Sequence, residues 1–197
     1  MKAPRHALRG AQHGTTMMEV LVSVVIVVVG LLGLAGLQSR ASVAEMESFQ
    51  RAQAILLMQD MVDRINANRK NASLYATATP LGTGQSVTPC TNLTGKDLDL
   101  CEWNNSLLGA AEASSGGANV GAMIGARGCV KVVQATMPRQ IQVAVVWQGL
   151  TSTASSAVSD CGRGSYDAAD RQRRIVATTF TIGCLENNPV TLICVTP

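Results

Sequence analysis

A chain of 197 residues with 47% hydrophobic and only 3% aromatic residues must build its core from Val, Ile, Leu, Met and Ala. Its formal charge of +3 comes from Lys2, Arg5 and Arg9 in the first fourteen residues; the remainder balances thirteen bases against thirteen acids, so composition gives no argument for global attraction to nucleic acid. Both histidines, His6 and His13, lie in that same basic segment, which removes His-based catalysis and His metal ligation from everything after it.

The first element is an apolar run. No residue from Val20 to Ser39 is charged, and the eighteen residues Val20–Leu37 span about 27 Å as a helix, most of a bilayer's hydrocarbon core. Ahead of the run lie the three bases, a small residue, Gly14, and one carboxylate, Glu19, at its lip. A secretory signal carries its small-residue cleavage site behind a shorter apolar stretch. Here the small residue stands in front of a longer one, the order expected of a leader cut on the cytoplasmic side that leaves the apolar helix on the mature chain. The bases keep that end cytoplasmic and place the rest of the chain across the membrane. Thr16-Met-Met-Glu19 also has capping-box spacing, in which Glu19 reaches back to the cap amide. Gly30, Gly33 and Gly36 recur every third residue and bare a strip along which another helix can approach closely.

The basic leader, Gly14, and Glu19 as the fifth residue after the junction resemble the type IV pilin family. The resemblance implies cleavage between Gly14 and Thr15 by prepilin peptidase and N-methylation of Thr15. It also implies that Glu19 pairs with the N-terminal amine of a neighbouring subunit, which offsets the cost of a carboxylate at the membrane. The family usually has Phe where this chain has Thr15.

Beyond Leu37, Val43, Met46, Ala54, Leu57, Met58, Met61 and Ile65 recur at helical spacing with charges between them. They predict an amphipathic continuation of the same helix, ending near Asn68, with the methionines as core filler. The segment Ala52–Asn68 closes on Asp63-Arg64-Ile65-Asn66-Ala67-Asn68 and is similar to the helix end of PilV-type minor pilins, the type IV pilus modification proteins. The stretch Val29–Gln38 is similar to that family as well. By spacing alone, Asp60, Asp63 and Arg64 read as a solvated helix face with a pair across one turn.

From 71 to 128 the periodicity fades. Pro80, Gly82, Gly84 and Pro89 mark loops, and 106–128, rich in Gly, Ala and Ser, reads as a surface loop with Leu107-Leu108 as its anchor. Three strands follow, at 130–136, 140–148 and 173–182. Ile141, Val143, Val145 and Trp147 share one face of the second, and Val176, Phe180 and Ile182 one face of the third. Arg171, Arg173 and Arg174 read as a small basic cluster on a solvated strand edge.

Six cysteines, Cys90, Cys101, Cys129, Cys161, Cys184 and Cys194, all follow the apolar run, and none are spaced as Cys-x-x-Cys. An even number on one side of a membrane segment implies disulfides in an oxidising compartment. The sequence leaves their connectivity open. Pairing neighbours, as Cys90–Cys101, Cys129–Cys161 and Cys184–Cys194, fits the strand order. By resemblance to pilin heads, the last pair would tie down the C-terminal tail.

No phosphate-binding loop and no nucleophile elbow occur, so no catalytic residue, cofactor or metal site is expected. The resemblance implies a pilin-like α+β fold, one long N-terminal helix on an antiparallel β-sheet head with loop-rich insertions and disulfides. Its parts are a leader at 1–14, the membrane or filament-core half of the helix at 15–39, its amphipathic half at 40–70, and a periplasmic head at 71–197. The implied function is a structural one, a minor pilin that helps to initiate or cap a pilus and so supports motility, adhesion or DNA uptake. The implied partners are other minor pilins and the major pilin, prepilin peptidase, and the inner membrane with the pilus assembly machinery; DNA is not expected as a direct ligand. Two other readings fit parts of the pattern: a type II secretion pseudopilin, and a signal-anchored periplasmic binding domain or enzyme.

Overall fold

The computed structural model describes residues 14, 16–110 and 123–184. The leader before Gly14, Thr15, most of the predicted 106–128 loop and the tail with Cys194 lie outside them. The elements in chain order are α1 (Met17–Ala67), a 3-10 helix (Arg69–Tyr75), β1 (Leu81–Gly82), α2 (Gly95–Leu107), β2 (Arg127–Gln134), β3 (Arg139–Gln148) and β4 (Arg173–Ile182). The strands form one antiparallel sheet in the order β1-β2-β3-β4. The fold is α+β, and the chain divides into two compact units, up to Ala44 and from Glu45 onward.

The first unit is the N-terminal part of α1. No proline occurs between Pro4 and Pro80, so nothing interrupts the helical ladder. The helix starts at Thr16, whose hydroxyl accepts the Glu19 N–H at 3.4 Å. One 18-residue window is long and apolar enough to cross a membrane, and none of it is buried.

In the second unit, Ala54, Met61 and Ile65 are buried, with Leu57, Met58 and Val62 packed beside them, which is the predicted apolar face. They share one core with Ile141, Val143, Val145 and Trp147 of β3, Val130 of β2, and Val176, Phe180 and Ile182 of β4. Alternation along β3 and β4 predicts these faces, and the ten-residue register between the two strands keeps them aligned. Met46 departs from the prediction. It is 52% exposed, because the core begins further along the helix, at Gln50 and Ala54.

The stretch read as aperiodic contains α2. Leu100, Trp103 and Leu107 form its inward stripe at spacings of three and four. Trp103 is wholly buried, and its Nε1 donates to the Leu57 carbonyl of α1 at 2.8 Å. Gly128 of β2 lets that ring lie against the strand, since a Cβ there would run into it. Asn104 joins the ends of the same region: its Oδ1 accepts the Gly82 N–H at 2.8 Å and its Nδ2 donates to the Ser86 carbonyl at 3.0 Å. Leu81 and Gly82, predicted as loop, pair with Gly128 and Arg127 as a short edge strand. Ser106 and Leu107 belong to α2, and Arg127 and Gly128 to β2, so the predicted loop is shorter than 106–128 at both ends.

The segment between β3 and β4 folds over the opposite face of the sheet. There Ala144, Val146 and Cys161 are buried, with Cys129, Tyr166, Ile175 and Ala177 packed against them. Both faces of β3 are therefore covered, and five successive residues, Val143–Trp147, are buried.

Candidate assembly site and the contacts that frame it

Gly14 and Glu19 are exposed, and Glu19 lies in the first turn of α1. The Thr16 hydroxyl supplies the cap by accepting the backbone N–H of residue 19, and among the described residues the Glu19 carboxylate makes no hydrogen bond or ion pair. One half of the predicted capping box is thus formed, and the carboxylate is open to another partner. From Val20 to Leu37 every side chain is exposed. A Cβ added at Gly30, Gly33 or Gly36 would meet nothing within 4 Å, so the glycine strip faces open space. Chemically, this segment can only bury apolar area, against lipid or other helices.

Two of the cysteine pairs form disulfides, Cys90–Cys101 and Cys129–Cys161. The third predicted pair includes Cys194 and lies outside the described residues. Cys90–Cys101 ties the loop before α2 to the middle of that helix, and Cys129–Cys161 pins the covering segment to β2.

The arginine cluster is not a solvated basic edge. Arg173 is 1% exposed and inserts beneath the covering segment. Its Nε donates to both Asp170 carboxylate oxygens, at 2.9 and 2.7 Å. Its Nη1 donates to the Ser159 and Cys161 carbonyls, and its Nη2 to that of Ser156. A buried guanidinium is tolerated when its donors are satisfied in this way. Arg174 turns to the other face, where Nη2 meets Glu47 of α1 at 3.0 Å. Gly149 makes room for it, since a Cβ there would collide with the guanidinium. Arg171 is the exposed member.

Glu47 also accepts the N–H groups of Leu150 and Thr151 and the Thr151 hydroxyl. Partial burial works against its charge, but the Thr151 hydroxyl and the Arg174 guanidinium together hold its carboxyl below the usual range. Neither Glu47 nor its link to Arg174 is legible in the sequence. They lie 127 residues apart, and nothing local marks them.

Nor is Arg64 on a solvated face. Its Nε donates to Asp60 at 3.0 Å, and its Nη1 to Asp99 at 3.2 Å and Glu102 at 2.6 Å, which fastens α2 to α1. Burial opposes its charge, yet these three carboxylates raise its pKa above the ordinary arginine value. The Tyr75 hydroxyl donates to the other Asp99 oxygen. Burial, with Asp99 beside it, pushes the Tyr75 pKa up to about 12.

Residues 36–104 match the family model Tt1218-like, described as Type IV pilin Tt1218. Over that stretch the chain is type IV pilin-like. The match covers roughly a third of the 197 residues, from the end of the glycine strip through the second half of α1, the 3-10 helix and β1 into α2. It includes Arg64, Tyr75, Asp99, Glu102 and Trp103, the residues that join the two helices. No curated protein and no solved structure matches the chain. The pilin-like helix and the antiparallel head agree with the fold expected from the sequence. A pilin-like chain has a structural role, and its exposed apolar helix fits a membrane anchor that becomes part of a pilus.

Proposed function

We propose that the chain is a minor pilin of a type IV pilus, of the PilV type, which helps to initiate or cap the filament. In this reading the leader is removed between Gly14 and Thr15, Thr15 is N-methylated, and the head stands in the periplasm while the apolar helix holds the subunit in the inner membrane. On assembly the helix exchanges lipid for the helices of other minor pilins and the major pilin. The open Glu19 carboxylate takes the N-terminal amine of a neighbour. No reaction is catalysed. The observation that carries the reading is an uncovered apolar helix half leading directly into a stretch that matches a type IV pilin model.

Mass spectrometry of the protein purified from a piliated host tests it. The expected N-terminus is methylated Thr15. A protein that still begins at Met1 there, or one cut beyond Leu37, overturns the reading. Deleting the gene is expected to reduce piliation and leave type II secretion unchanged. The reverse outcome would assign the chain to a secretion pseudopilin.

A further inference from the structure

At the end of α1 the chain forms a cavity of about 350 Å³, lined by Asn66, Ala67, Asn68, Arg69, Lys70 and Asn71. Arg69 and Lys70 are exposed, and neither has an ion pair among the described residues. No acid occurs in the sequence between Asp63 and Asp97, whereas the next bases on either side, Arg64 and Lys96, are both engaged by carboxylates. Cations beside a helix C-terminus also complement its dipole, which accounts for their position but not for the three amides around them.

Two of those amides, Asn68 and Asn71, are held from below. Asp99, as a carboxylate, only accepts, so the buried Tyr75 hydroxyl must donate to it. Tyr75 can then only accept from Asn68, whose Nδ2 lies 3.1 Å from the phenol oxygen. That turns the Asn68 Oδ1 toward Asn71, whose Nδ2 donates to it at 2.9 Å. The chain of bonds uses the Nδ2 of exposed Asn71 and leaves its Oδ1 without a donor among the described residues. Because Tyr75 stays protonated over the whole ordinary pH range, the orientation does not switch. A relay that starts at the Arg64 staple thus ends as an oriented amide at the cavity rim, with two unpaired cations beside it.

The chemistry names a ligand class. Arg69 and Lys70 call for negative charge. Asn71 Oδ1 calls for a donor, which a phosphodiester does not have and a sugar hydroxyl does. No exposed aromatic ring lines the cavity for base stacking. We propose that this cavity binds a carboxylate-bearing saccharide, an acidic glycan of the uronate kind, with Arg69 and Lys70 on the carboxylate and Asn66 and Asn71 on the hydroxyls. The inference rests on this site alone and holds whether or not the chain is a pilus subunit.

The test is titration of the full chain in detergent micelles with tetragalacturonate, followed by NMR or calorimetry, beside maltotetraose and duplex DNA. The expected result is weak binding of the uronate, on the order of millimolar, and tenfold weaker or no binding of maltotetraose. The double variant Arg69→Gln/Lys70→Gln is expected to lose about fivefold or more in affinity, and Asn71→Ala about threefold. Lys96→Gln, whose cation is already paired, should bind as the parent does. The exposed substitutions should leave the melting temperature unchanged, so a loss of binding reports on the site rather than on folding. Equal binding of the neutral sugar, or parental affinity in both site variants, overturns the proposal. Tighter binding of DNA through the same two cations also overturns it, in favour of a phosphate ligand.

Discussion

Glu47 stands at the first turns of α1 inside the second unit, and its carboxylate holds the segment after β3 through two backbone amides and a hydroxyl, and β4 through the Arg174 guanidinium. Its pKa is below the ordinary 4.5, so the ionised form is the one the fold favours. A depressed carboxylate contributes stability that is fully present above the unfolded pKa and is lost as pH falls through the folded one. Denaturant unfolding followed from pH 7 downward should therefore show the head weakening below about pH 4.5, part of it through this residue. Glu47→Gln should be less stable at pH 7 and should show a shallower fall as the pH drops below about 4.5. An unchanged acid slope in the variant would show that the clamp contributes nothing. Asp167 titrates in the same direction, because the amides of Gln172, Arg171 and Ala169 point at it, so the variant's slope should shrink without vanishing.

At the scale of elements, the start of α1 separates the helix cap from the assembly role proposed for Glu19, which the sequence combines in one motif. The cap bond runs from the Glu19 amide to the Thr16 hydroxyl, so the Glu19 side chain is not needed for it. Thr16→Ala should lose about 1 kcal/mol of helix stability at that end, measurable as faster amide exchange of residues 17–20. Glu19→Ala should leave that exchange nearly unchanged yet lower the fraction of subunit recovered in sheared filaments. Normal recovery of the Ala variant would mean the carboxylate has no partner in assembly. The second helix depends on Arg64. Arg64→Met leaves Asp60, Asp99 and Glu102 without their shared cation and should destabilise the head by about 1–3 kcal/mol, chiefly by loosening α2. Glu102→Gln, at the more exposed end of the network, should cost clearly less. Equal costs would show that the residues do not act through one network.

For the molecule as a whole, the sheet carries two cores. The larger lies against α1 and α2, and the smaller lies under the segment that Cys129–Cys161 and Arg173 hold down. With so few aromatic residues, the smaller core depends on that covalent tie. Replacing Cys129 and Cys161 together by Ser should cost about 2–4 kcal/mol. It should also expose Tyr166, seen as a shift of its ring resonances in NMR. The equivalent change at Cys90 and Cys101 should cost less, because that loop is 11 residues against 32 and α2 keeps its Trp103 and Arg64 anchors. A larger loss at Cys90–Cys101 would reverse this ranking of the two halves of the head.

The sequence by itself determined the long helix, its apolar half, the three main strands and which of their faces turn inward. All of these are periodic signals, set by residues two to four apart that share one environment. Gly14 and Glu19 stand out for a similar reason, since their meaning comes from their distance to the apolar run. The sequence did carry α2, in the Leu100, Trp103 and Leu107 spacing behind Thr94, but the asparagines and the cysteine between them obscured a stripe only three residues long. Only the tertiary structure decided the fate of the charges. Arg64, Arg173 and Arg174 look alike in the sequence, as bases with another charged or polar residue just before them. Yet one joins two helices, one is buried beneath a loop and one reaches 127 residues back to Glu47. A charged side chain adopts whichever partner can repay its desolvation, and that partner is fixed by how the elements meet rather than by the residues beside it.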